Sequence, residues 1–192
     1  MADAALTARD PFAGLDAGFE IGDVTAAPYD IGPSLVIAPY RDRLAAASAA
    51  VEAAIGAGLP EAGRWIDLGE DRPRLIWHQA ESWLCLAGTS ELDGLEAALK
   101  AGDLAQCRRQ EGAWAVMSLR GPAAADLVAR LTSLDLREAA FGPGQVAACE
   151  LAHMPGLVVR GNWGYGLWVP RSYAGTLAGE LREGAQRLAR RG

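Results

Sequence analysis

From residue 34 onward the apolar positions alternate between strand-like runs and helical stripes. Leu35-Val36-Ile37 is a short continuous apolar run, the mark of a buried strand, and after it Leu44, Val51, Ile55 and Leu59 fall near one face of a helix. Gly58 and Pro60 supply its stop signal. Residues 74–79 and 82–87 read as two strands separated by Ala80-Glu81, a hairpin-length gap. Ser90-Glu91-Leu92-Asp93 has the form of a capping box, and Leu92, Leu95 and Leu99 continue at helical spacing. The polar stretch 103–110 around Cys107 supplies a closing strand. Strand, helix, two strands, helix, strand is a split βαβ unit.

A second unit starts at Ala113. Residues 114–119 read as a strand apolar on both faces, hence central in a sheet. Gly121-Pro122 turns the chain into a helix whose expected stripe is Leu127, Val128, Leu131 and Leu134. Strands are expected at 145–151, 156–160 and 165–169. A final helix, N-capped by Ser172, buries Leu177, Leu181, Ala185 and Leu188. The expected fold class is therefore α+β, two fused ferredoxin-like halves over 33–110 and 111–192, although no sequence repeat is visible between them.

Residues 1–32 break the pattern. They hold six acids against Arg9, a net of −5 out of −6 for the whole chain of 192 residues. Phe12, Leu15, Phe19 and Ile21 are isolated apolar points, and glycines at 14, 18 and 22 make a helix there marginal. Two readings of this acidic N-terminal arm stand: a mobile terminus, or a segment that folds onto a neighbouring subunit and buries those four side chains. With 51% hydrophobic and 22% charged residues, the chain has ample material for a core. No apolar run approaches the roughly 20 residues that span a bilayer, and the N-terminus lacks the basic head of a secretory signal, so a cytoplasmic protein is expected. An acidic balance disfavours nucleic acid, and Arg182, Arg187, Arg190 and Arg191 suit the negative end of a last helix.

Candidate chemistry is sparse. Cys85, Cys107 and Cys149 form no pair motif, and His78 and His153 have no second ligand at helical spacing, so no metal site is expected. Gly161-Asn162-Trp163-Gly164-Tyr165-Gly166 has the wrong glycine order for a dinucleotide cradle and leads into a strand, so it reads as a hairpin turn. Cys85 and His78 approach one another only if their strands pair, and a buried thiol beside a hydrogen-bonded imidazole is the commoner arrangement. Asp67, Glu70 and Asp71 with Arg64, Arg72 and Arg74 form a self-neutralising surface. Glu111 is the one isolated acid of note. Of six tryptophans, Trp77, Trp83, Trp114 and Trp168 lie in expected strands. Trp65 and Trp163 lie in expected loops and, with Tyr165, Phe12 and Phe19, are the candidate partner contacts. No catalytic residue is assigned.

Five features in order carry a family resemblance: the strand 74–79, the strand 82–87 paired with it, the turn Ser118-Leu119-Arg120-Gly121-Pro122-Ala123, the link from Leu134-Asp135-Leu136 to Ala140-Phe141, and Pro170-Arg171-Ser172-Tyr173-Ala174 before the last helix. Over residues 33–190 the chain resembles the gamma subunit of heterotetrameric sarcosine oxidase, a family related in fold to the folate-binding aminomethyltransferase domain of the glycine cleavage system. The resemblance implies a heterotetramer that oxidatively demethylates sarcosine to glycine in sarcosine catabolism. It places FAD, FMN, NAD and tetrahydrofolate chiefly on the alpha and beta subunits and none on this chain, which would assemble against the folate-binding part of alpha, with delta as a further partner subunit. One departure concerns the acidic turn that folate domains carry before the strand at Trp114. This chain has Gln110-Glu111-Gly112 there, leaving Glu111 as the candidate replacement at a folate site. A stand-alone folate-binding aminomethyltransferase-like domain and the small subunit of N-methylglutamate dehydrogenase are the alternatives.

Overall fold

A computed structural model describes residues 10–69 and 74–190. The first half contains β3 (Ser34–Pro39), α1 (Leu44–Ile55), β4 (Trp65–Asp67), β5 (Arg74–Gln79), β6 (Ser82–Leu86), α2 (Thr89–Ala101) and β7 (Ala105–Arg109). Its antiparallel sheet has the order β4-β5-β6-β3-β7. The second half contains β8 (Trp114–Arg120), α3 (Ala124–Val128), β9 (Gln145–Leu151), β10 (Met154–Gly161), β11 (Gly164–Pro170) and α4 (Ala174–Ala189). Two N-terminal strands, β1 (Phe19–Ile21) and β2 (Val24–Pro28), complete a six-stranded sheet in the order β1-β2-β8-β11-β10-β9.

The two sheets share one topology. In each, a first strand is followed by a helix, an outer edge strand, a hairpin and a second helix. In the first half β7 then returns beside β3; in the second, that fifth place, beside β8, is filled by β2 from the opposite end of the chain. Both halves are thus the expected α+β units, but the second is closed by the segment expected to be a separate arm. Ile21 pairs with Val24 around Gly22-Asp23, a two-residue hairpin turn in which Gly22 takes φ 54°, as a turn of this length demands. Phe12, Ala17, Val24 and Ala26 are buried in the second half's own core. Arg182 of α4 fastens the segment, donating to the Asp16 carboxylate at 2.9 Å and to the Asp16 and Gly18 carbonyls, with its guanidinium over the Phe19 ring at 5.2 Å. Residues 1–9 of the expected arm lie outside the described residues.

Strand alternation sorts side chains into two layers on each sheet. Leu35, Ile37, Leu75 and Cys85 face α1 and α2, while Met117, Leu119, Leu127, Leu167, Leu177 and Leu181 pack between the second sheet and α3 and α4. The opposite sheet faces meet each other: Val36, Ile76, Leu84 and Leu86 of the first against Val116, Val146, Leu157, Val159 and Trp168 of the second. The molecule is a four-layer stack, helices outside and two sheets within. Along one edge the sheets are joined by an Arg64–Gln145 bridge and by the amides of Trp65 and Val146, donating to Gly144 at 3.1 Å and Gly63 at 2.9 Å.

Element ends differ from expectation where local polar groups intervene. α1 stops at Ile55, three residues before Gly58, because Gly56 adopts a left-handed cap at φ 91°. The cap of α2 is Gly88, whose amide is met by the Glu91 carboxylate at 2.9 Å. Asp93 is drawn instead to Arg109. α3 ends at Val128, short of Leu131 and Leu134, where the Thr132 hydroxyl accepts the Leu134 amide and Asp135 accepts that of Arg137. Such side-chain acceptors compete with the helical ladder. Ser172 lies in a 3-10 turn, Arg171–Tyr173, that leads into α4, and makes no capping bond.

Candidate functional site

Between the facing sheets, at the end where β8 finishes and β11 begins, a cleft of about 380 Å³ opens to solvent. Its floor is apolar, with Ile76, Leu86, Val116, Val159 and Trp168; Trp65, Trp163 and Tyr29 form its aromatic walls. Alternation places these residues: Trp65 and Asp67 of β4, Arg74 and Ile76 of β5, Val116, Ser118 and Arg120 of β8, and Gly166 and Trp168 of β11 are same-face positions two apart. The charged rim has two parts. Arg74 pairs with Asp67 at 3.3 Å and lies over Tyr29 at 5.9 Å. Arg120 lies over Trp163 at 5.9 Å and, among the described residues, forms no ion pair.

A second, more polar depression of about 510 Å³ is lined by Asp10, Phe12, Tyr29, Asp30, Glu111, Gly112, Trp114 and Arg171, among others. Glu111 stands exposed on its rim, within the β7–β8 turn. That turn is rigid: the Gln110 amide donates to Ser34 O at 3.1 Å, Ser34 Oγ donates to Gln110 O at 3.1 Å, and Gln110 Oε1 accepts the Trp114 indole N–H at 3.0 Å. Glu111 is therefore not a wall of the aromatic cleft.

The proposed partner contacts separate on inspection. Phe12 is 4% exposed inside its own chain and offers no surface to a neighbour; Phe19 is half-buried beneath Arg182. Tyr165 is also buried, with the Arg160 guanidinium 4.5 Å above its ring. Trp65 is in strand β4 rather than a loop, half-buried, and donates its indole N–H to Arg160 O at 2.9 Å. Trp163 keeps 38% of its surface exposed, at the β10–β11 hairpin that Gly161 and Gly164 close as a pair. Of the acidic loop, the Asp67–Arg74 pair is observed, while Glu70, Asp71 and Arg72 lie outside the described residues.

Cys85 and His78 do pair strands but not side chains. Cys85 sits opposite Leu75 on the helix-facing side, its thiol pushed up to about 12 chiefly by burial, then by Glu91, so it is a thiol and not a thiolate at neutral pH. His78 is the unpaired residue of a bulge between Trp77 and Gln79 and stands edge-on to Trp114 of the other sheet at 5.4 Å. Burial, and secondarily Arg108, lowers its pKa, and Nδ1 has no hydrogen-bond partner. Among the described residues no three His, Cys, Asp or Glu side chains gather as a metal site. Arg120, Tyr29 and the Trp168 indole N–H are the cleft groups that sequence reading passed over. The signal was present in β8, where the face begun by Trp114 and Val116 turns polar at Ser118 and Arg120.

No family model matches the sequence, and no curated protein matches it. Among solved structures, a chain of heterotetrameric sarcosine oxidase from Corynebacterium sp. U-96, determined in complex with pyrrole 2-carboxylate, superposes with a TM-score of 0.81. The match has 24% identity and covers 94% of this chain and 96% of that one. The two chains share one fold. The resemblance drawn from the sequence thus holds at the level of the fold, over 94% of the chain. The regulatory subunit of aspartate kinase from Thermus thermophilus, in its ligand-free form, matches with a TM-score of 0.37 and 11% identity over 86% of this chain and 99% of that one, which carries no argument. No described helix is long and apolar enough to cross a membrane.

Proposed function

We propose that this chain is a subunit of a sarcosine oxidase-like complex, acting in assembly rather than in chemistry. The observation that supports it is the near end-to-end superposition on one chain of the heterotetrameric enzyme, at a TM-score of 0.81. A domain grafted onto an unrelated protein matches only part of it; here 94% of this chain and 96% of the other are covered. The state of the two candidate reactive groups agrees with this reading. A nucleophilic cysteine needs a thiolate and a base within reach, whereas Cys85 is a buried thiol on the face of its sheet opposite His78. On this reading the flavins, NAD and tetrahydrofolate belong chiefly to companion alpha and beta chains, delta is a further partner, and Trp163 is the exposed indole available for contact with alpha.

Co-expression with the alpha and beta subunits of a sarcosine oxidase tests the proposal. The expected result is one co-purifying species with flavin absorbance that demethylates sarcosine. A tagged chain that purifies without flavin, while alpha and beta assemble and turn over without it, contradicts the proposal.

A further inference from the structure

We infer that the cleft between the two sheets is a binding site for a small planar carboxylate. The inference stands on this chain's own groups and is independent of its assembly. Three observations converge.

The first is the donor set. Trp65, Trp83 and Trp114 each give their indole N–H to an acceptor, respectively Arg160 O at 2.9 Å, Pro60 O at 2.7 Å and Gln110 Oε1 at 3.0 Å. Trp168 is only 4% exposed, yet its N–H meets no protein acceptor among the described residues. Trp168 lines the open cleft and its N–H is not sealed from it, so an acceptor entering there takes that hydrogen bond. The second is charge. Asp67 neutralises Arg74, while Arg120, over the Trp163 ring, forms no ion pair among the described residues. Guanidinium and indole are both donors without acceptor capacity, so together they select an acceptor-only group, which a carboxylate is.

The third is shape. A Cβ on Gly166 would lie 3.2 Å from Trp168 Nε1 and 3.3 Å from Trp163 Cη2. Both indoles close down on this glycine, where a Cβ would crowd them, so the Trp168 N–H and the Trp163 ring under Arg120 lie side by side in the cleft wall. The walls are flat aromatic faces and the size lies in the range of about 300–1,000 Å³ common to small-molecule sites. A flat ring slides between such faces, with its carboxylate directed to Arg120 and the Trp168 N–H.

The test uses the full chain with 2-naphthoate as probe, followed by calorimetry and by the indole N–H signals in a ¹H–¹⁵N spectrum. Saturable binding with Kd below about 1 mM is expected, together with movement of one indole N–H signal that is absent from Trp168→Phe. Arg120→Gln, an exposed substitution that leaves the fold intact, weakens binding by about tenfold or more, as does exchanging the probe for neutral 2-naphthamide. Cyclohexanecarboxylate, which is not flat, binds more weakly than 2-naphthoate. Absence of saturable binding by the intact chain, equal binding of acid and amide, or unchanged affinity in Arg120→Gln would overturn the inference; the last two hold even if Trp168→Phe fails to fold.

Discussion

At the scale of single residues, His78 carries a pH dependence. Its ordinary pKa is 6.5, and burial followed by Arg108 lowers it in the folded chain. The unfolded chain therefore takes up a proton first as pH falls, and protonation favours unfolding. The stabilisation is intact above 6.5 and is lost progressively as pH drops from there towards the folded value. Thermal melts between pH 7.5 and 5 should show a falling Tm, and His78→Phe, which keeps an aromatic edge against Trp114, should flatten that slope. An unchanged slope in the variant would mean that the imidazole is not the group responsible. His78 also shows why side-chain partners were hard to read from the sequence. Pairing of 74–79 with 82–87 was legible, and alternation from Leu75 already sets His78 on the face opposite Cys85; what the alternating pattern does not record is the partner His78 meets there, Trp114 of the other sheet. Trp65 was assigned to a loop because β4 is three residues long, below the length at which alternation can be recognised.

At the scale of elements, strong periodicity was read well and ends were not. The stripe Leu177, Leu181 and Ala185 and the hairpin at Gly161-Asn162-Trp163-Gly164 stand as expected. α3 is cut short by Thr132 and Asp135, acceptors that a hydrophobic stripe takes no account of. Gly121 couples two elements distant in sequence. Its φ is 105°, and a Cβ there would stand 2.2 Å from Asp23 O, in the turn between β1 and β2. A backbone atom cannot swing aside as a side-chain tip can, so Gly121→Ala should displace the N-terminal hairpin as well as strain the turn. A loss of about 1–3 kcal/mol is expected in urea denaturation, with faster proteolysis confined to residues 10–28. Cleavage no faster than in the parent would show that the hairpin is not held there.

At the scale of the whole molecule, the largest revision concerns the N-terminus. Its acidity and glycines suggested an arm, and the signal that opposed this, Phe19 to Val24 around Gly22-Asp23, is brief and buried on one face only. What decides its place is topology: among the described residues no strand follows α4, and β2 takes the fifth position, beside β8, that β7 takes in the first sheet. Removing residues 1–28 should therefore expose the β8 edge and the pocket left by Phe12, Val24 and Ala26, giving an aggregating product or one without a cooperative melt. A truncated chain with the parent's Tm would restore the arm. The same completeness makes the superposition on a sarcosine oxidase chain extend nearly end to end, and it underlies the functional reading. Native mass spectrometry of the assembly captured from the source cells tests that reading most directly. The account predicts one copy of this 20.1 kDa chain bound with larger, flavin-bearing chains in a heterotetramer; a spectrum holding only this chain or multiples of its mass would contradict it.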